Sequence, residues 1–143
     1  MPKPDPQLLD PSRYPHHFQI EPRFSDLDLH KHINNSSLIK LLEEARVRFH
    51  RECGFGFERK DFAIVVVNMT VDYLAEGQYP QTVDVATGVS DLGRTSYTVV
   101  QLASQEGKPI CLSKSTLVNV RAGEVLTHSD SFREALAPWK LRP

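Results

Sequence analysis

The sequence predicts an α+β domain in which one antiparallel sheet wraps around one long helix. Two observations lead to this class. Residues 38–53 carry apolar side chains at spacings of three and four, the pattern of a helix with one buried face. From residue 62 onward the period changes to two, in four long stretches separated by short turns. A helix with one apolar stripe and a sheet with one apolar face can bury each other.

The length, composition and net charge of the chain limit the class of protein. The 143 residues are 40% hydrophobic and 24% charged, as in an ordinary globular domain. A net charge of −1 indicates no general attraction to nucleic acid or to an anionic membrane. No apolar run approaches the roughly 20 residues of a membrane span, and the N-terminus lacks the apolar stretch of a signal peptide. Cys53 and Cys111 form no disulfide framework, so we expect a cytoplasmic protein.

The chain begins with a proline-rich segment. Five of the ten prolines fall within residues 1–15. Proline fixes φ and removes a backbone donor, so we expect an extended tail with little structure of its own. Residues 16–143 are then expected to form a single domain. Residues 16–24 are rich in strand formers, and Pro22 predicts a strand at a sheet edge or with a bulge, because proline cannot donate to a ladder.

The long helix has recognisable ends. Asn34 and Asn35 are both good N-cap residues, and Gly54 is suited to end the helix in a left-handed conformation. Near the C-terminus a short helical turn is predicted, capped by Ser129 or Asp130. The apolar stripe of the long helix consists of Leu38, Leu41, Leu42, Ala45, Phe49 and Cys53.

Four strands are expected after the helix. Residues 62–74 begin as a continuous apolar run and end in alternation, which predicts burial on both faces at the start and on one face at the end. Further strands are predicted near residues 83–89, 95–103 and 109–120. Because short turns join successive strands, we expect an antiparallel meander. The long edges of such a sheet invite pairing with a second copy of the chain.

A dense group of polar side chains stands just before the helix. The stretch RFSDLDLHKHINN, residues 23–35, contains two aspartates, two histidines and two asparagines. One explanation is turn and cap chemistry, because Asp and Asn side chains bind nearby backbone N–H groups. A second is a divalent metal site, since DLDLHKH offers four suitable ligands. No further His or Cys follows at a recognised ligand spacing, which disfavours the metal site.

The third explanation is acid–base or nucleophilic catalysis by one carboxylate. The N–H groups of the first helical turn, around residues 33–35, form a ready site for an oxyanion. They can polarise a carbonyl while an aspartate slightly upstream attacks it or deprotonates water. This chemistry suits acyl transfer to water.

The order of elements and the stretch SDLDLHKHINNSSLIKLLEEAR resemble the hot-dog-fold acyl-CoA thioesterases of the 4-hydroxybenzoyl-CoA thioesterase type. The resemblance covers about residues 17–125. Its motif is an aspartate four residues before a histidine, then a hydrophobic residue and two asparagines, then a helix carrying EEAR. VVVNMTVDYL and DLGRTSY also resemble the family's first long strand and a later strand start. The resemblance implies a hot-dog fold and hydrolysis of an acyl- or aryl-CoA thioester to free acid and CoA.

The resemblance also implies a catalytic residue. In that family the second aspartate of the DxD pair is the catalytic carboxylate, which is Asp28 here, acting as general base or nucleophile. Asp26 falls at the less essential position. Lys31 stands where many members have glycine, and Leu38 where many have tyrosine. The oxyanion donor comes from the backbone at the helix start, for which the candidates are His32, Ile33, Asn34 and Asn35.

Substrate contacts and partners follow from the same resemblance. The family builds its site at a dimer interface, where the helix end of one subunit faces the long strand of the other. On that strand Asn68 and Met69 are candidates to line the acyl pocket. The CoA phosphates need cations near the mouth of the site. Arg94, with the hydroxyls of Thr95 and Ser96, is the main candidate. The alternative cations are Lys108, Lys114 and Arg121. We expect a homodimer or homotetramer that binds acyl-CoA and needs no metal or other cofactor.

Three other functions stay open. A hot-dog domain can be a dehydratase or hydratase, which pairs an aspartate with a histidine across the site, and His30 or His32 can take that role. It can also be a non-catalytic acyl-thioester binding protein, or a dimeric structural protein whose site has decayed.

Overall fold

A long helix, α1 (Asn35–Cys53), lies against one face of an antiparallel sheet, which confirms the predicted α+β class. The structure, a computed structural model, describes residues 3–54 and 61–143. The sheet order is β1-β3-β4-β5-β2, with a short β6 paired to β5, and a second helix, α2 (Asp130–Leu136), follows. The strands are β1 (His16–Ile20), β2 (Phe62–Tyr73), β3 (Val83–Leu92), β4 (Ser96–Gln105), β5 (Lys108–Arg121) and β6 (Glu124–Val125).

The ends of α1 follow from its capping residues. The side chain of Asn34 accepts a hydrogen bond from the N–H of Ser36 at 2.8 Å, so Asn34 is the N-cap and Asn35 is the first helical residue. Gly54 follows the helix with φ of 83°, a conformation that glycine adopts without a side-chain penalty. Of the two predicted N-caps, Asn34 is the correct one, and the predicted end at Gly54 is confirmed.

The apolar stripe of α1 spans the sheet from one end of its strands to the other. Leu38 packs in a cluster with Ile110, beside the turn between β4 and β5. Phe49 packs with Val89 and Tyr97, beside the turn between β3 and β4. The 19 residues of α1 correspond to about 28 Å, so its two ends lie over opposite ends of the sheet.

The position of β2 in the sheet differs from the position that the predicted meander gives it. β3, β4 and β5 form the expected meander, but β2 pairs with β5 and not with β3. The chain between β2 and β3 therefore crosses the end of the sheet. Gly77 makes this close approach easier: a Cβ there would lie 2.8 Å from Cδ1 and 3.1 Å from Cβ of Ile33, so a larger residue would force this segment or the Ile33 side chain to move. β1 lies at the other edge, as Pro22 predicted.

Much of the edge strand β2 is exposed. The exposed fractions of Val65, Val66 and Val67 are 39%, 41% and 56%, so the predicted burial on both faces is wrong for the single chain. The reason is that α1 packs mainly against β1, β3 and β4, so that only part of the inner face of β2, including Ile64 and Val71, is covered. The register shifts between Val66 and Asn68, where Val67 forms a bulge. An apolar strand at a sheet edge is a template for pairing with another strand.

The proline-rich segment is ordered where the structure describes it, which corrects the predicted extended tail. Residues 1 and 2 lie outside the described residues. Two 3₁₀ turns, Pro6–Leu9 and Pro11–Arg13, follow one another. Each turn is capped by an aspartate, Asp5 or Asp10, whose side chain accepts a backbone N–H two residues later. Proline suits the start of such turns because its missing N–H has no acceptor there.

This segment covers part of the outer face of the sheet, opposite α1. Tyr14 is fully buried, and its hydroxyl donates to the carbonyl of Leu8 at 2.7 Å. Leu8 and Leu141, from the two ends of the chain, pack with Leu102 and Leu112 of the sheet. The segment therefore contributes to the core of the domain.

The helix α2 closes the core beside the C-terminal end of α1. Its N-cap is Ser129, one of the two predicted residues, whose hydroxyl accepts the N–H of Phe132 at 3.1 Å. The ring centroids of Phe132 and Tyr97 lie 5.5 Å apart. In the described part of the chain no helix is both long and apolar enough to cross a membrane.

His50 is a buried histidine in this part of the core. Its Nε2 lies 2.9 Å from the hydroxyl oxygen of Tyr97, and the residue is only 4% exposed. Burial, aided by the nearby charge of Arg46, lowers the pKa of His50 to about 4.

We predict that acid destabilises the protein between about pH 6.5 and pH 4. The pKa of His50 rises from about 4 to its ordinary 6.5 on unfolding, so the unfolded chain binds more protons in this window. The stabilisation that comes from keeping His50 neutral is complete above pH 6.5 and is lost as the pH falls through 4. The difference corresponds to about 3 kcal/mol in the free energy of unfolding.

Urea unfolding at pH 7 and pH 4.5 measures this effect. The variant His50→Gln should lose much less stability between the two pH values than the parent does. An equal loss in both proteins would show that another group is responsible.

Candidate functional site

The polar stretch before α1 folds into a tight loop around Asp28. The N–H of Asp28 donates to the carbonyl of His32 at 3.0 Å, and the N–H of Lys31 donates to the carbonyl of Asp28 at 3.0 Å. Leu27 and Ile33 face each other in a β-bridge that closes the loop. Lys31 has φ of 64°, a left-handed conformation that costs a residue with a Cβ about 1–2 kcal/mol. Lys31 therefore occupies a position that favours glycine.

The two oxygens of the Asp28 carboxylate differ. Oδ1 accepts the N–H groups of His30 at 2.9 Å and His32 at 3.3 Å. Oδ2 takes part in no hydrogen bond among the described residues. The side chain is partly exposed. One oxygen thus fixes the carboxylate in the loop, and the other is available to a reactant.

The surroundings of Asp28 keep its carboxylate ionised. Partial burial acts to raise the pKa of Asp28, but the hydrogen bonds from the N–H groups of His32 and His30 act in the opposite direction. Positive charge on the imidazoles of His30 and His32 adds to this effect. The pKa of Asp28 is lowered overall, so the group is a carboxylate throughout the neutral pH range.

Asp26 has structural contacts. It is 4% exposed, and Oδ2 accepts the N–H of Arg23 at 2.7 Å. Oδ1 lies 3.3 Å from the guanidinium of Arg23. The carbonyl of Asp26 accepts the N–H of Asn34 at 2.8 Å. The side chain and the backbone carbonyl of Asp26 therefore join the start of the loop to the start of α1.

The four predicted oxyanion residues are not equivalent. The N–H groups of His32, Ile33 and Asn34 each donate to an oxygen of the loop or of the adjacent segment, at 2.8–3.3 Å. The N–H of Asn35 has no acceptor among the hydrogen bonds of the described residues. It lies in the first turn of α1, where the helix dipole favours negative charge.

Sequence reasoning did not identify Glu76. Its Oε2 lies 3.1 Å from Nε2 of His32. It belongs to the segment between β2 and β3, in which the carbonyl of Gly77 accepts the N–H of Ile33 at 2.9 Å. This pairing depends on the path by which the chain crosses the end of the sheet, and hydrophobic periodicity carries no information on that path.

Asn68 and Met69 lie on opposite faces of β2. Val71 packs with the core under α1, and Met69 is two residues away on the same face. Asn68 faces the other side and is exposed. Of these two predicted pocket residues, Met69 alone faces the α1 side of the sheet.

The predicted CoA residues are far from Asp28 in the single chain. Arg94, Thr95 and Ser96 lie between β3 and β4 and at the start of β4, under the C-terminal end of α1. Asp28 precedes the N-terminal end of the same helix, so most of the length of α1 separates the two groups. Arg94 is exposed, and its guanidinium lies 3.5 Å from Oγ1 of Thr127.

A carboxylate with one unpaired oxygen, beside a helix N-terminus with an unpaired N–H, can act on a carbonyl group. The N–H can accept the developing negative charge while the carboxylate attacks or activates water. Within residues 3–54 and 61–143, no group of three or more His, Cys, Asp or Glu side chains is arranged to hold a metal ion.

Comparisons with known proteins agree with this description. A thioesterase from Thermus thermophilus, crystallised with coenzyme A and Zn, is 28% identical, with a TM-score of 0.82 over 92% of this chain and 98% of that one. A predicted thioesterase from Bacillus stearothermophilus is 29% identical, with a TM-score of 0.79 over 89% of this chain and 97% of that one. The uncharacterized protein YsmA of Bacillus subtilis (strain 168) is 26% identical over 121 residues, 82% of each chain.

These structural neighbours confirm the hot-dog fold that the sequence resemblance implied. Residues 22–139, most of the chain, match the family model of the thioesterase-like superfamily. The chain therefore belongs to the thioesterase-like superfamily.

Proposed function

We propose that this protein is an acyl-CoA thioesterase, with Asp28 as the catalytic carboxylate and the N–H of Asn35 as an oxyanion donor. The observation that carries the proposal is that a carboxylate oxygen of Asp28 and N–H groups in the first turn of α1 are unused within the described part of the chain, and that Asn35 supplies the first of these N–H groups. Oδ2 of Asp28 and the N–H of Asn35 both lack a partner among the described hydrogen bonds. The relative from Thermus thermophilus that is crystallised with coenzyme A supports a CoA thioester as substrate.

The reaction follows from these two groups. The thioester carbonyl oxygen accepts the N–H of Asn35, and the first turn of α1 stabilises the charge that develops on that oxygen. Asp28 either attacks the carbonyl carbon, forming an anhydride that water hydrolyses, or removes a proton from an attacking water. In both routes the carbon–sulfur bond breaks, the acid is released, and the CoA thiolate takes up a proton.

We further propose that two subunits pair through the edges of β2. A two-fold axis makes paired edge strands antiparallel, so opposite ends of the two subunits become neighbours. The turn that carries Arg94, Thr95 and Ser96 in one subunit then lies near Asp28 of the other. This arrangement accounts for the distance between these groups within one subunit, and it covers the apolar edge of β2. The segment at residues 5–15 already covers part of the outer face, which favours a dimer as the functional unit.

Dehydratases of this fold typically pair an aspartate with a histidine across the site. Here the imidazole of His32 contacts Glu76 at 3.1 Å and His30 is exposed. The match to the thioesterase-like superfamily favours a thioesterase over a dehydratase.

A panel of aryl-CoA, fatty acyl-CoA and enoyl-CoA substrates tests the reaction. We expect the variant Asp28→Asn to lower kcat by about 10²–10⁴. The asparagine oxygen can still accept the N–H groups of His30 and His32, so the fold should be unchanged. Asp130→Asn, at an exposed carboxylate on α2, is the control. Hydration of enoyl-CoA without thioester cleavage would contradict the proposal, as would an Asp28→Asn variant as active as the parent.

Asn35→Pro removes one N–H group and little else. Asn35 is the first residue of α1, where proline is well tolerated, and Asn34 has the extended backbone (ψ of 140°) that precedes proline. We expect a loss of about 10²–10³ in kcat with unchanged thermal stability. Asn35→Ala keeps the N–H and should retain nearly full activity. If the proline and alanine variants were equally active, Asn35 would not be the oxyanion donor.

A charge on the edge of β2 should prevent dimerisation. In light scattering we expect the parent protein to have twice the chain mass of 16.2 kDa. The variant Val67→Lys should be a folded monomer with a raised KM. Val125→Lys on β6 is a matched control, because Val125 is 55% exposed and Val67 is 56% exposed. A parent that is monomeric and fully active would contradict the shared site.

A further inference from the structure

We propose that Glu76 is a positioning residue that holds the Asp28 loop in its reactive geometry through the side chain of His32. This inference rests on the proposed function, because it assigns a role in the same site. Glu76 does not contact the reacting atoms in this account and acts through its neighbour.

His32 connects Glu76 to the carboxylate of Asp28. The N–H of His32 donates to Oδ1 of Asp28 at 3.3 Å, and its carbonyl accepts the N–H of Asp28 at 3.0 Å. The imidazole Nε2 of the same residue lies 3.1 Å from Oε2 of Glu76. The contact of the His32 side chain with Glu76 therefore helps to fix the residue that supplies two of the backbone groups bonded to Asp28.

The loop needs this outside support. Lys31, the residue before His32, is held at φ of 64°, so the local backbone alone does not favour the observed shape. Ile33, which follows His32, and Gly77, which follows Glu76, are joined by a backbone hydrogen bond of 2.9 Å. Glu76 adds a side-chain contact next to that bond, so the same segment holds two successive residues of the loop.

The pair between Glu76 and His32 is better suited to orientation than to stability. The side chain of Glu76 is 70% exposed and that of His32 is 29% exposed. Ion pairs that are so exposed contribute little to the free energy of unfolding. Small displacements of a reacting group, in contrast, can reduce a rate strongly. Loss of Glu76 should thus affect turnover more than folding.

Kinetics of Glu76→Ala and Glu76→Gln test this role. We expect Glu76→Ala to lower kcat about tenfold with KM within about twofold of the parent, since loop geometry and not binding is changed. Glu76→Gln should recover most of kcat, because its amide oxygen still accepts a hydrogen bond from His32. Glu134→Ala, at an exposed carboxylate on α2, is the control and should match the parent.

Hydrogen exchange gives a second measurement that needs no activity. The N–H groups of His30 and His32 donate to Oδ1 of Asp28, so in Glu76→Ala both should exchange about threefold faster, and in Glu76→Gln at the parent rate. Unchanged exchange, or a kcat in Glu76→Ala equal to that of an active parent, would overturn the inference. A parent that cleaves no thioester would refute the proposed function alone, and the exchange rates would then decide whether Glu76 holds the loop.

Discussion

The hydrogen bond from the N–H of Ile33 to the carbonyl of Gly77 is the interaction on which the rest of the site depends. It brings the segment between β2 and β3 against the loop before α1, and Gly77, which has no side chain to meet Ile33, makes this approach easier. The same approach brings Glu76 to His32. The loop closes around Asp28, and Asn34 caps α1, so that the first helical turn follows directly from the loop. The orientation of the carboxylate is therefore a consequence of how the sheet connection crosses the end of the fold.

Local features of the fold could be predicted from the sequence because each depends on a few adjacent residues. Asn34, Gly54 and Ser129 have side chains or conformations that begin or end helices, and the structure uses all three. The motif around Asp28 led to the family, which the match over residues 22–139 confirms. The role of Asp28 in catalysis stays a prediction.

Features that depend on distant parts of the chain were not predictable in the same way. Alternation shows which side chains share a face of a strand, but it carries no information on which strand is the neighbour, so it does not reveal the pairing of β2 with β5. An apolar run such as the valines at 65–67 is compatible with a core or with an exposed edge. The prolines of residues 1–15 alone indicate an extended tail, whereas Asp5 and Asp10 cap two turns there. The contact between Glu76 and His32 depends on the long-range path of the chain between β2 and β3.

In the proposed dimer, Asp28 of one subunit and Arg94 of the other form one site, although the two residues lie far apart within a single chain. The same pairing covers the exposed edge of β2. A crystal structure of the protein with a non-hydrolysable ketone analogue of an acyl-CoA tests this combination most directly. We expect the analogue's carbonyl oxygen about 3 Å from the N–H of Asn35, with Oδ2 of Asp28 facing the carbonyl carbon and the CoA phosphates near Arg94 of a second subunit. A carbonyl group bound away from both Asp28 and Asn35 would contradict the account.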